Sequence, residues 1–438
     1  MYVRRLSLFP LFSQATANVT RKKETKESRS GTFTDNMKLP LHRWFRYSAG
    51  FSAEWVENTI REHQPGADYT VLDPFAGSGT TLLAAERVGV VAWGLEGHPF
   101  VARIARAKLL WREVEPGVFL DAIATLLEQA ARIDAAPETD SELLQKCYSP
   151  ESLAKLFALK TAFLERDTGS ALDQLLWLTL TAALRACSHA GTAQWQYVLP
   201  NKTKAKVLDP FVALEEKAAQ IAEDLAFAQR EHSAQATILQ HDARNTPAIP
   251  PNSIDLVVTS PPYPNNYDYA DATRLEMTFW GEIKGWGDLN NAVRKHIIRS
   301  CSQHSAADKI KLEVILQEAA LAPIIDELGP VCQELAEVRL TKGGKKTYHT
   351  MIAAYFLDLS RIFQMLRPLC KAGSRLCLVI GDSAPYGVHV PAEEWLGKLA
   401  LAAGFKSYTF EKIRDRNVKW KNRKHDVPLH EGRLWIEG

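Results

Sequence analysis

The chain has 438 residues, 46% of them apolar and 24% charged, with a formal net charge of +2, which excludes both a disordered chain and a polycation. The stretch Leu175–Ala186 is largely apolar, but it is too short to span a bilayer and carries Arg185, so no membrane partner and a cytoplasmic location are expected. The six cysteines, at 147, 187, 301, 332, 370 and 377, include no C-x-x-C pair; neither a disulfide framework nor a metal site is expected.

In chain order, residues 1–36 are rich in Ser, Thr, Lys and Arg without core-forming periodicity. They read as a flexible basic extension, with a transit peptide or a true start at Met37 as the alternatives. Residues 37–104 hold a helix beginning near Phe51 and a strand at Tyr69–Leu72 that ends in Asp73-Pro-Phe-Ala-Gly-Ser-Gly-Thr-Thr81. A helix over 80–88, closed by Gly89, and a strand at Val90–Leu95 leading to Glu96 follow. Strand, glycine turn, helix, strand and acid make a βαβ unit of the Rossmann type. Residues 105–235 are dominated by Ala, Leu, Glu, Gln and Lys and read as a helical insertion with a loop from His189 to Pro210. Strand character returns over 236–438: Ala236–Gln240 before Asp242, Ile254–Thr259 before Ser260-Pro-Pro-Tyr263, and Arg375–Ile380 before Asp382. A helix is expected at His349–Leu366, a turn at Pro368–Gly373, a helix at Glu393–Ala403, and late strands at Lys406–Ile413 and Arg433–Glu437.

Two segments carry the chemistry. In the first, Asp73, Pro74, Phe75, Ala76, Gly77, Ser78, Gly79, Thr80 and Thr81 run from a strand through a tight turn into a helix N-terminus. The glycines let backbone approach a ligand, and the first N–H groups of the helix suit polar groups. No lysine follows the last glycine, so this is no Walker loop. The G-x-G-x-x-G of a dinucleotide enzyme is also absent. Glu96, one unit later, stands where an acid accepts hydrogen bonds from ribose hydroxyls. In the second segment, Pro261 and Pro262 fix φ and remove two N–H donors, leaving carbonyls unopposed as acceptors. Ser260 adds a hydroxyl and Tyr263 an aromatic face. Two acceptors can hold both protons of an exocyclic amine and turn its lone pair toward a methyl donor, while the ring stacks on an extruded base.

Together, D-P-F-A-G-S-G-T-T and T-S-P-P-Y resemble the cofactor and catalytic motifs of the DNA amino-methyltransferases, which make N6-methyladenine or N4-methylcytosine. The resemblance covers 40–104 and 236–438. It implies an α/β, Rossmann-like class I methyltransferase fold with a mostly parallel seven-stranded sheet and a large helical insertion. It further implies S-adenosylmethionine as cofactor, double-stranded DNA as partner, and a restriction or other defence-system partner. Asp242 is then expected at the cofactor adenine, the segment His42–Tyr47 with Phe51 over its methionine half, and Asp382 at the border of the target pocket. Serine at 260, where the family also uses aspartate, leans toward cytosine N4. Adenine N6, an RNA base and an inactive nucleic-acid-binding relative are the alternatives. Phosphate contacts are expected from Lys342, Lys345 and Lys346 and, within a C-terminal cluster of eight Lys/Arg against three acids over 412–433, from Arg416, Lys419, Lys421 and Arg423; Trp280 and Trp420 are candidate stacking residues.

Overall fold

The computed structural model describes residues 32–47, 50–63, 66, 68–134, 139–193, 196–230, 234–309, 311–344, 346–416 and 427–438. Its strands in chain order are β1 (Thr70–Asp73), β2 (Val91–Glu96), β3 (Ala190–Thr192), β4 (Val198–Thr203), β5 (Ala236–Gln240), β6 (Ile254–Thr259), β7 (Cys370–Gly381), β8 (Ser407–Arg416) and β9 (Leu429–Glu437). Seven of them form one sheet in the order β5-β2-β1-β6-β7-β9-β8. From β5 to β7 the neighbours run parallel, and β9 inserts antiparallel between β7 and β8. This is the mostly parallel seven-stranded α/β fold expected. Because β1 is flanked by β2 on one side and β6 on the other, strand order reverses there. The carboxyl ends of β1 and β6 therefore open the crevice in which doubly wound sheets bind ligands.

Alternation along the strands builds two cores. Val71, Ala92, Ile238, Leu256 and Val258 face helices α1 (Ala53–Glu62) and α2 (Thr80–Val88). Leu72, Val257, Leu376, Leu378 and Ile380 face the helices Tyr348–Leu369 and Ala392–Ala402. A third core unites α3 (Pro99–Leu109), α4 (Pro116–Ala130), α5 (Glu142–Cys147), α6 (Pro150–Arg166), α7 (Ala171–Cys187) and α8 (Pro210–Ala228) with Trp44, Tyr47 and residues of 270–293. At its junction Trp177 meets Phe100 at 5.2 Å and Trp280 at 6.0 Å between ring centroids. The helical block thus shares its interior with segments on both sides of it.

Three local expectations are corrected. The loop over 189–210 contains the antiparallel pair β3–β4. The expected turn at Pro368–Gly373 is instead a direct passage from helix to β7, drawn into pairing by Ile254 opposite Cys370 and by Gly373 N–H donating to Gly438 O at 3.2 Å. Strands β8 and β9 are longer than their sequences suggest because each pairs the other out to Arg416 and Leu429. All six cysteines are buried and free. Among the described residues no helix is long and apolar enough to cross a membrane, and no group of three or more His, Cys, Asp or Glu is placed to hold a metal.

Candidate active site

The site begins at the end of β1, where Asp73 is buried. Its Oδ1 accepts the Thr259 hydroxyl at 2.6 Å and the Phe75 N–H at 3.0 Å, and its Oδ2 accepts the Thr81 hydroxyl at 2.6 Å. One carboxylate therefore ties the glycine turn, the first turn of α2 and the last residue of β6 together. Burial raises the Asp73 carboxyl to about 6, against the lowering by these donors,.

Beyond Asp73 the chain turns at Gly77, whose φ is +53°. A Cβ there would stand 3.2 Å from Tyr47 Cε1. The Ala76 N–H donates to Leu95 O at 2.9 Å, docking the turn on β2. At the end of β2, Glu96 Oε2 accepts the Gly77 N–H at 2.8 Å and Oε1 accepts the His98 N–H at 2.7 Å. Each oxygen keeps a further lone pair. Burial, the largest influence, raises this carboxyl to about 7.

These groups wall a cleft with about 570 Å³ of empty space, its open mouth included. Of the residues expected at a ligand site, Pro74, Phe75, Gly77, Glu96, Asp242, Ser260 and Pro262 line it. Asp73, Ala76, Ser78, Thr80, Thr81 and Pro261 are buried and, like the half-buried Tyr263, are not among its lining residues, and Gly79 packs against Ala105. Asp242 receives a bidentate grip from Arg244, at 2.9 Å to Oδ1 and 2.7 Å to Oδ2. Arg244 in turn reaches the buried Asp358 at 3.4 Å. From the 42–51 segment, Tyr47 reaches the cleft, whereas Trp44 and Phe51 pack in the cores. Burial lowers the His42 imidazole to about 3.

The Ser260 hydroxyl donates to the Val379 carbonyl of β7 at 3.2 Å. Its single proton is thus committed, and its lone pairs are left as acceptors. Tyr263 is half-buried, with the Arg416 guanidinium 5.2 Å from its ring centroid. Burial pushes its phenol well above the ordinary range, against the Arg416 charge. Asp382 is buried, accepting the His430 N–H at 2.8 Å and lying 2.9 Å from His389 Nε2.

The basic residues are dispersed. Lys342 and Lys346 are exposed, the latter 5.6 Å from the Tyr348 ring centroid. Lys412, Arg414 and Arg433 are paired with Asp415, Glu431 and Glu411 at 2.6, 2.9 and 2.9 Å. Arg416 turns inward. Lys345, Lys419, Lys421, Arg423 and Trp420 lie outside the described residues, as do 1–31 of the N-terminal extension. Trp280 packs edge-on against Phe163 and donates to Thr181 Oγ1 at 2.9 Å.

The cleft also takes Gly97, His98, Ala243, Tyr269 and His296–Ile298, which the motif reading does not single out. Gly97 and His98 follow directly on Glu96, and Tyr269 belongs to an aromatic run after S-P-P-Y, so those signals were local. The stretch 296–298 carries none. It is placed from afar by Arg299, which donates to Asp358 at 2.9 and 2.5 Å.

Comparison with known proteins finds methyltransferases. A family model for DNA methylases of the N6/N4 type matches residues 12–107, a span that contains the glycine turn and Glu96. The Type II methyltransferase M.BsoBI of Geobacillus stearothermophilus is 25% identical across 91% of this chain and 85% of its own length. The Type II methyltransferase M.AvaI of Nostoc sp. strain PCC 7120 is 24% identical across 92% and 87%. An rRNA methyltransferase, aviRa from Streptomyces viridochromogenes, overlaps at 9% identity with a TM-score of 0.27, covering 89% of this chain and 85% of that one; the fold assignment rests on the sheet order rather than on this likeness.

Proposed function

We propose that this chain, a member of the DNA amino-methyltransferase family, transfers a methyl group from S-adenosylmethionine to an exocyclic base amine in double-stranded DNA, and that the amine is N4 of cytosine. The observation that carries the reading is the Asp73 carboxylate. By holding Thr81 and Thr259 at 2.6 Å each, it sets the S-P-P-Y segment at the edge of the cleft built by the glycine turn, so that a donor and an acceptor could share one space.

The residues present suit that cofactor. The cleft brings two carboxylates, Glu96 and Asp242, together with the aromatic faces of Tyr47, Phe75 and Tyr269, an environment that favours a cation. Glu96 would accept the ribose hydroxyls on its remaining lone pairs, and Asp242, aimed by Arg244, would accept the adenine amino group. The Gly77 turn provides the close backbone approach. When bound, S-adenosylmethionine supplies an electrophilic methyl carbon.

On the acceptor side, Ser260 Oγ and the Pro261 carbonyl hold the two protons of the amine, and Tyr263 supports the flipped base. Because the Ser260 proton is directed to Val379, the hydroxyl faces the amine as an acceptor. Neither group needs to act as a strong base, since the nitrogen becomes acidic only once it is methylated. Positioning therefore supplies most of the acceleration. The choice of cytosine N4 rests on the neutral serine at 260. The Type II designation of the relatives supports a restriction partner.

The joint substitution of Ser260 and Tyr263 by alanine tests the reading. Transfer of labelled methyl to DNA is expected to fall to background while calorimetric binding of S-adenosylmethionine persists. Unimpaired transfer by the double variant would refute the assignment.

A further inference from the structure

Arg416 stands in a basic segment whose plain reading is contact with phosphate, yet its side chain is turned into the protein. Its guanidinium lies 5.2 Å from the Tyr263 ring centroid, and its Nη1 donates to the Asp382 carbonyl at 2.8 Å. The buried Glu431 carboxylate stands 3.9 Å from Nε. A second observation concerns the passage that lets it in. At Gly381, the last residue of β7, an added Cβ would meet Arg416 Nη1 at 2.6 Å, Cδ at 3.2 Å and the His430 carbonyl at 3.0 Å. The absence of a side chain at 381 is what allows the arginine to cross the end of β7. That strand end also receives Ser260 through the Val379 carbonyl. Both polar elements of the S-P-P-Y segment are thus set from β7, one directly and one through Arg416.

We infer that Arg416 is a positioning residue for methyl transfer: its guanidinium, admitted over Gly381, braces one side of the Tyr263 ring so that the ring offers a fixed platform to the extruded base. The inference rests on the proposed role of Tyr263. A planar cation fits this place better than an ammonium, because it can pack against the ring while still donating to Asp382 O.

The test is a double-mutant cycle in the full-length protein. Arg416→Ala is expected to lower kcat for methylation of duplex DNA about tenfold, with Arg416→Lys recovering only part of the loss. Binding of S-adenosylmethionine and the salt dependence of DNA binding should match wild type. In a Tyr263→Ala background, the Arg416→Ala change should have little further effect, because its target is gone. Gly381→Ala should reproduce the kcat loss with Arg416 in place. If Arg416 held a phosphate instead, its removal would add to the Tyr263 loss and reduce the salt slope by about one. Additivity, or wild-type kcat in Arg416→Ala, would overturn the inference. If wild type itself methylated no DNA, the proposed function would fail instead. Cofactor binding and thermal melting of each variant separate misfolding from loss of positioning, and a misfolded Arg416→Ala leaves Arg416→Lys and Gly381→Ala to decide.

Discussion

Glu96 occupies a place where burial opposes ionisation and two backbone N–H groups favour it, and burial prevails, raising the carboxyl from 4.5 to about 7. The ionised form is the better acceptor for a pair of hydroxyls. Affinity for S-adenosylmethionine should therefore rise as pH climbs through about 7 and level off once the unliganded carboxyl is fully ionised. Below that point binding must first release a proton, which calorimetry in buffers of different ionisation enthalpy will register. Glu96→Gln should bind more weakly and without this pH dependence. The residue scale is also where sequence was most and least informative. The two motifs could be read directly, because each is a contiguous string whose local geometry sets its chemistry. Arg416 could not be read, because charge in a basic run says nothing of the ring that the side chain finds across the sheet.

Among the elements, the glycine turn between β1 and α2 is the most tightly specified. Gly77 combines a φ of +53° with Tyr47 pressed at 3.2 Å against the place of a Cβ. Gly77→Ala is expected to cost about 1–2 kcal/mol in stability through backbone strain. It should also weaken cofactor binding more than a surface Gly→Ala change does, as melting and calorimetry will show; unchanged affinity would remove this turn from the ligand site. The strand–turn–helix–strand order around it was legible because hydrophobic period and turn residues agree. The β3–β4 pair and the extension of β8 and β9 were not, since their pairing depends on partners rather than on their own composition. The 296–298 wall escaped for the same reason: Arg299 finds Asp358 across 59 residues.

For the whole molecule, the helical block is continuous with the unit that carries the seven-stranded sheet. Trp177, at its centre, is fully buried between Phe100 of α3 and Trp280, and it carries the Arg103 guanidinium 4.0 Å from its ring centroid. Trp177→Ala should destabilise the protein by about 3–5 kcal/mol. It should shift one cooperative melting transition as a unit; two separate transitions would show a block that folds on its own. The seven-stranded sheet follows from the motif resemblance, whereas this sharing of a core across 105 and 235 is a tertiary result that a helical composition alone does not reveal.

The central claim is the identity of the methylated atom. Nucleosides released from the DNA of a host expressing the protein, resolved by mass spectrometry, should contain N4-methylcytosine, and the same host carrying the Ser260→Ala, Tyr263→Ala double variant should lack it. N6-methyladenine in its place would overturn the choice of base, and the absence of any methylated amine from DNA alongside a labelled base in RNA would contradict the account as a whole.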